Sequence, residues 1–287
     1  MRQLSLIEYS IGTAVWLLTT LLTVLIFKQK SPRQIFKRSP SLAILLAMIV
    51  FVDVTSLIAF PQWILVTLDI YPNIEKNVLV LFITNLVCHA SHAFYDSACL
   101  ALFLQRILII RFPTTFLKQI NQLILVVAFV IAVAAGVTLF VVFFNGPERS
   151  SESLPKECFA MACTTPFENR AKYVYSITRN IYSVSVAVTG TFFLIMFYKY
   201  SKQIQTHSST MKSNKMTRYI FMVRIVLETA PFISDFIVIN ITSKSVAYYI
   251  GPFGAISYSL EAFCCMFAYY VVFASENKVA VVSIGTL

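Results

Sequence analysis

The sequence predicts an all-α membrane protein, a single bundle of seven transmembrane helices that occupies residues 1–287. Hydrophobic residues make up 58% of the 287 positions and charged residues only 13%, well below the charged share of a soluble domain. The charges lie between apolar runs of about 20 residues, the length at which a helix crosses a hydrocarbon core of about 30 Å. Strands of about ten residues with alternating sidedness are not evident, which argues against a membrane β-barrel.

Seven apolar runs give the predicted spans. They are residues 8–27, 42–65, 78–110, 120–144, 173–198, 218–241 and 246–274. The third run is long enough to tilt or to project into the cytosol. Pro61 near the end of the second run and Pro231 in the middle of the sixth predict kinks, because proline removes a helical hydrogen bond.

The distribution of Lys and Arg predicts the orientation, because these residues in short loops stay on the cytoplasmic side. The loops 28–40, 106–118 and 199–218 and the tail from 275 contain 14 of them, whereas the opposite segments contain 7. Glu276 is the one acid on the basic side. The N-terminus is therefore expected outside and the C-terminus in the cytoplasm. The basic face indicates topology and attraction to anionic lipids, not nucleic-acid binding.

The outer side carries two covalent candidates. Cys158 and Cys163 lie in the long loop before the fifth span, on the oxidising side, and a disulfide can close their separation. Cys88 is the competing partner, disfavoured because it should lie about two turns below the surface. Asn240-Ile241-Thr242 forms an N-glycosylation sequon at the outer end of the sixth span.

Ionisable residues inside the spans are costly and call for a function or a partner. They are Asp53, Asp96, Arg179, Arg224, Glu228, Asp235 and Glu261. Helical spacing predicts that Arg224, Glu228 and Asp235 share one face of the sixth span and that Arg224 pairs with Glu228. That face is either a buried polar network that fixes helix packing or the wall of a ligand cavity.

The third span carries a polar stripe, since Cys88, His92 and Asp96 follow one another at intervals of four residues. A metal site could use such groups, but three histidines in the whole chain are too few for a membrane di-iron enzyme. The stripe is more naturally a ligand-contacting wall. We expect neither a metal nor another cofactor.

These groups predict one cavity in the outer half of the membrane. Spans three, five and six adjoin in a seven-helix bundle, so Cys88, His92, Asp96, Arg179, Glu228 and Asp235 could converge there. The expected apolar lining is Tyr173, Tyr175, Tyr182 and Phe232. The forked donors of Arg179 suit a small acidic ligand. Alternatively, Arg179 pairs with Glu228 or Asp235 and only holds the bundle together.

The inner end of the third span reads Gln105-Arg106-Ile107 and continues to Pro113. It resembles the Asp-Arg-Tyr region of rhodopsin-like G-protein-coupled receptors, and Pro231 matches their kinked sixth span. The resemblance implies that Arg106 and the segment to Pro113 contact a G protein. Gln105 replaces the acid that normally restrains the arginine. The Asn-Pro-x-x-Tyr motif of the seventh span and a cysteine at the outer end of the third are also missing.

With these departures, the chain resembles the nematode serpentine chemoreceptors, most closely the class called BC. The resembling residues are Cys158 to Cys163 with Pro166, Pro231-Phe232, residues 250–255 (IGPFGA) and residues 259–262 (SLEA). The resemblance implies a multi-pass receptor in the plasma membrane of chemosensory cilia. It would detect a small molecule or pheromone and signal through a heterotrimeric G protein.

Two other function classes compete with a receptor. A ligand-gated channel or transporter would also place charges inside the bundle, but transporters show internal repeats, which seven spans do not provide. Insect odorant channels have seven helices in the opposite orientation. The sequence has no nucleophile elbow, metal-ligand cluster or paired-acid motif, so we do not expect an enzyme.

Overall fold

A computed structural model of the chain describes residues 2–71, 74–111, 117–144, 169–204, 208–242 and 246–284. These residues are almost entirely helical, and none of them lies in a β-strand. The α-helices are α1 (Arg2–Gln29), α2 (Pro32–Arg38), α3 (Pro40–Thr67), α4 (Ile74–Arg111), α5 (Leu117–Phe144), α6 (Asn169–Ile204), α7 (Ser208–Arg224), α8 (Ala230–Thr242), α9 (Ala247–Ile250) and α10 (Phe253–Ile284), with a π-helical turn at Ile225–Thr229 between α7 and α8.

Within this described part of the chain, five helices are long and apolar enough to cross a membrane. Their spanning segments are Arg2–Gln29, Pro40–Thr67, Val80–Arg111, Ile177–Tyr200 and Phe253–Val272. Large apolar side chains on their outer faces are exposed, among them Leu17 and Val188. Such continuous apolar surface belongs in lipid, so the chain is an all-α membrane protein, as predicted.

The two other predicted spans are also helical. The fourth lies on α5, whose shorter apolar segment is Gln122–Thr138. The sixth is divided into α7, the π turn and α8. The π turn ends two residues before Pro231, where a departure from regular helix was expected because proline cannot donate its backbone hydrogen bond.

The described helices pack side by side in a closed ring of α1, α3, α4, α6, α7 and α10, with α5 against α4 and α6. α1 contacts α3 and α10, α3 contacts α4, α4 contacts α5 and α6, and α7 contacts both α6 and α10. The side chains of Asp53 and Thr20 join α3 to α1 through a hydrogen bond of 2.7 Å, so this intramembrane acid has a packing role. Side chains of α4 thus contact α3, α5, α6 and α7, and Tyr95 of α4 also reaches Glu261 of α10.

Two glycines allow close contacts between neighbouring helices. Gly190 on α6 lies against the ring of Phe221 on α7, with no room for a β-carbon. Gly251, at the break between α9 and α10, has a φ of 82° and lies against the buried carboxyl of Glu8. The seventh predicted run is therefore interrupted at Gly251-Pro252, where a left-handed backbone requires glycine.

The cytoplasmic loop predicted at 28–40 contains the short helix α2. Ser31 and Gln34 form a capping box, in which each side chain accepts a hydrogen bond from the other residue's backbone N–H. The helix ends at the junction residue Ser39, which is buried. The predicted loop thus contains a capped helix that packs against α3.

Candidate functional site

A buried ionic cluster lies where α4, the π turn and α10 meet. Arg224 is fully buried and forms ion pairs with Asp96, Glu228 and Glu261. The distance is 2.5 Å from its Nη2 to Glu228 Oε2 and 3.4 Å from its Nη1 to Glu261 Oε1. Each of these acids is at most 2% exposed. We call these four residues the Arg224 cluster.

The pairing of Arg224 with Glu228 confirms the prediction from their spacing. Asp235 departs from the predicted common face, and its Oδ1 accepts a hydrogen bond from the backbone N–H of Val246 at 2.7 Å. The π turn explains the departure, because its extra residue rotates everything beyond it by roughly 100° about the helix axis. Asp235 therefore joins α8 to the start of the seventh run.

Three further side chains complete the surroundings of Arg224. The hydroxyl of Tyr95 donates a hydrogen bond of 2.7 Å to Glu261 Oε1, and its ring lies 4.9 Å from the guanidinium carbon. Nη1 of Arg224 donates to Cys99 Sγ at 2.7 Å. The hydroxyl of Tyr258 donates to Glu228 Oε1 at 3.3 Å. Such hydrogen bonds are what make a buried charge tolerable.

Tyr258 also connects the cluster to Arg179 on α6. The guanidinium carbon of Arg179 lies 4.3 Å from the centre of the Tyr258 ring and 4.1 Å from that of Phe232. The imidazole of His92 lies 4.2 Å from the same tyrosine ring. Arg179 therefore packs against two aromatic rings, a cation–π arrangement that stabilises its positive charge.

A small cavity lies between α4 and α6. Its volume is about 20 Å³, enough for a water molecule. The polar residues that line it are His89, His92, Asp96, Thr178, Arg179 and Tyr182. Asp96 is thus shared between this cavity and the Arg224 cluster. A ligand larger than a few atoms requires α4 and α6 to separate.

The structure brings together some of the predicted cavity residues. His92, Asp96, Arg179 and Tyr182 line the cavity, and Phe232 contacts Arg179. Glu228 belongs to the Arg224 cluster, whereas Cys88 faces α3, with its Sγ 3.8 Å from Ser56 Oγ. The side chains of the predicted lining residues Tyr173 and Tyr175 lie outside the described part of the structure.

Of the residues predicted to couple to a G protein, Arg106 lies near the C-terminal end of α4. Arg106 is buried, and its Nη2 donates a hydrogen bond of 2.8 Å to Ser39 Oγ at the junction of α2 and α3. A serine between α2 and α3 thus holds this arginine in the structure. Pro113 lies outside the described residues.

The covalent predictions have different outcomes. Cys158 and Cys163 lie outside the described residues, so their pairing stays a prediction. Cys88, the competing partner, is a buried free thiol. Asn240 is exposed at the end of α8, and its Nδ2 donates to the carbonyl of Phe236 at 2.7 Å. Among the described residues, no group of three His, Cys, Asp or Glu could hold a metal ion.

Sequence reasoning left Glu261, Tyr95, Cys99 and Tyr258 out of the site. A signal for α10 was present, because Tyr258, Glu261 and Cys265 follow one another at helical spacing and so share a face. The two α4 residues flank the predicted polar stripe. No protein-family model matches the chain, and no curated protein matches its sequence. The resemblance to chemoreceptors therefore stays a prediction.

Proposed function

We propose that this chain is a chemosensory G-protein-coupled receptor that detects a small acidic molecule between α4 and α6. The observation that supports this best is the position of Asp96. It lines the cavity beside Arg179 and pairs with Arg224, next to the π turn. A ligand in the cavity would therefore act on the helix that carries the π turn and Pro231.

The ligand chemistry follows from the groups that face the cavity. Arg179 offers a forked set of donors suited to a carboxylate, and Thr178 and Tyr182 add hydroxyls. The aromatic faces of Phe232 and Tyr258 beside Arg179 suit an apolar substituent. We propose a small carboxylic acid with an apolar chain, whose entry separates α4 from α6.

The signal would pass through the Arg224 cluster. A carboxylate near Arg179 and Asp96 would repel the aspartate and weaken its pairing with Arg224. Arg224 would then rely on Glu228 and Glu261, which lie in the π turn and on α10. A shift of the sixth predicted span, formed by α7, the π turn and α8, relative to α4 and α10 is a recognised type of switching motion.

The inner end of α4 would receive that motion. Arg106 is held by Ser39 in this structure, and release from Ser39 would free the guanidinium for a G protein. The proposal places seven spans in the plasma membrane of chemosensory cilia, with the N-terminus outside. The excess of Lys and Arg in the inner loops supports that orientation.

The experiment is a screen of small carboxylic acids on cells that express the chain with a promiscuous G protein, followed by Arg179→Gln. The variant should reach the cell surface yet need a ligand concentration higher by about tenfold to a hundredfold. That corresponds to about 1.5–3 kcal/mol, the worth of a hydrogen bond to a charged group. Arg2→Gln, which removes an exposed outer arginine paired with Asp69, is the matched control.

The alternatives give different results. If Arg179 only holds the bundle together, Arg179→Gln fails to reach the surface, and so does Arg179→Glu until Glu228→Arg rescues it. A normal response by Arg179→Gln would remove Arg179 from the ligand site. Ligand-evoked current in cells without the G protein would favour the channel or transporter instead.

A further inference from the structure

The Arg224 cluster contains more acids than bases. Asp96, Glu228 and Glu261 surround one guanidinium, and all four side chains are buried. Arg179, which lies 4.3 Å from the ring of Tyr258, is the next cation. Even with Arg179 included, these described residues have one carboxylate more than they have guanidiniums. An uncompensated carboxylate in the membrane interior is strongly unfavourable, so the group neutralises instead.

The other side chains around the cluster do not supply the missing positive charge. Tyr95 and Cys99 face the cluster from α4, and Tyr258 and Cys265 face it from α10. A phenol or a thiol is either neutral or negative, so none of these four can supply a positive charge. His92 could in principle carry a charge. However, its buried Nδ1 has no hydrogen-bond partner among the described residues, and it shares the cavity with Arg179. A protonated imidazole would bury an unsatisfied N–H beside another cation.

The three acids differ in how closely their carboxyl oxygens approach the guanidinium of Arg224. Asp96 and Glu228 pair directly with Nη2 of Arg224. Glu261 is farther from the guanidinium, at 3.4 Å, and its Oε1 accepts the hydrogen bond from Tyr95. Its Oε2 is fully buried and has no hydrogen-bond partner within the described part of the chain. Without a donor, a negatively charged oxygen is far costlier to bury than a neutral hydroxyl, so Oε2 is the preferred position for a hydrogen.

We infer that the Arg224 cluster is a binding site for one proton, held at neutral pH on the carboxyl of Glu261. With Glu261 neutral, the three acids and the two arginines, Arg224 and Arg179, carry two negative and two positive charges in total. A metal ion is a poor substitute, because the guanidinium already occupies the space between the carboxylates. The inference concerns the charge of the folded bundle and holds whether or not the chain is a receptor.

Infrared spectroscopy of the purified full-length chain in lipid nanodiscs tests this. A protonated carboxyl has a carbonyl stretch above that of a carboxylate, and the band moves down in D₂O. At neutral pH the wild type should show such a band that is absent from Glu261→Gln, which mimics the protonated acid. Asp53→Asn, which changes a buried acid outside the cluster, should retain it. Identical spectra for the wild type and Glu261→Gln would overturn the inference.

A second variant keeps the carboxyl and avoids any folding defect of Glu261→Gln. Tyr95→Phe removes the hydrogen bond to Glu261 Oε1, so the band should move to higher frequency. Tyr182→Phe, a buried tyrosine bonded to Ser97, is the matched control and should leave the band in place. No movement in Tyr95→Phe refutes the assignment. So does a band that persists in Glu261→Gln and disappears in Glu228→Gln.

Discussion

Replacing Arg224 by methionine should be among the most destabilising single changes in the described part of the chain. Methionine keeps much of the length of the side chain and removes the charge that Asp96, Glu228 and Glu261 share. Because all of these groups are buried, solvent does not screen the loss. Removing one partner of a buried ion pair costs about 3–5 kcal/mol, roughly two to three and a half powers of ten in the folding equilibrium.

The assay is unfolding of the purified chain in mixed micelles with increasing SDS, followed by tryptophan fluorescence. The chain has two tryptophans, Trp16 and Trp63, and both are fully buried, so their emission should change when the bundle opens. The matched control is Arg2→Met. Arg2 pairs with Asp69 at the surface, where both side chains are largely exposed, and such a pair is worth about 0–1 kcal/mol.

Neutralising the acids separates lost charge balance from lost packing. Asp96→Asn, Glu228→Gln and Glu261→Gln, combined with Arg224→Met, should recover most of the stability, because none of the four cluster side chains is then a buried charge without its partner. Arg224→Met alone should also regain stability as the pH falls, since protonation neutralises the remaining acids. If Arg224→Met costs no more than Arg2→Met, the cluster is not a charge-balanced unit and the reasoning is refuted.

Three further predictions concern packing, coupling and topology. Gly190→Ala should destabilise the bundle by about 1–3 kcal/mol in the same SDS assay, because the new methyl group meets the ring of Phe221. The control Gly136→Ala should be tolerated, because its methyl group would lie 3.8 Å from the nearest ring carbon of Phe94. Ser39→Ala should raise basal nucleotide exchange on the G protein by freeing Arg106, whereas Ser31→Ala at the cap of α2 should not; equal basal rates would argue against a restraint. An epitope at the N-terminus should stain on intact cells and one at the C-terminus only after permeabilisation, and the reverse pattern would contradict the receptor proposal.

The helices could be predicted from the sequence, whereas their local irregularities could not. Each of the seven apolar runs lies on one or more helices. Among the described residues, five helices are also long and apolar enough to cross a membrane, because run length and hydropathy determine that property. The π turn at Ile225–Thr229 has no comparable signal, although Pro231 marks its neighbourhood. The face predicted for Asp235 depended on unbroken helical periodicity, so one extra residue in the turn was enough to displace it.

The site was predicted in part for a similar reason. Spacing along one helix gave the Arg224–Glu228 pair, since residues four apart are neighbours on any helix. The partners from other helices, Asp96 and Glu261, depend on how the helices rotate about their own axes. That rotation is set by close approaches such as Gly190 against Phe221, which no single helix reveals.

The double role of Asp96 makes the cavity and the ionic cluster thermodynamically reciprocal. Suppose that a molecule binds the cavity better when Asp96 separates from Arg224. Any variant that already weakens the Asp96–Arg224 pair should then bind that molecule more tightly, because the two equilibria are linked. The factor by which the bound molecule weakens the Asp96–Arg224 pair equals the factor by which loss of that pair strengthens binding. Substitutions at Glu228 or Glu261, which never touch the cavity, are thus expected to change occupancy there. Conversely, a cavity ligand that leaves the stability of the cluster unchanged can transmit nothing through it.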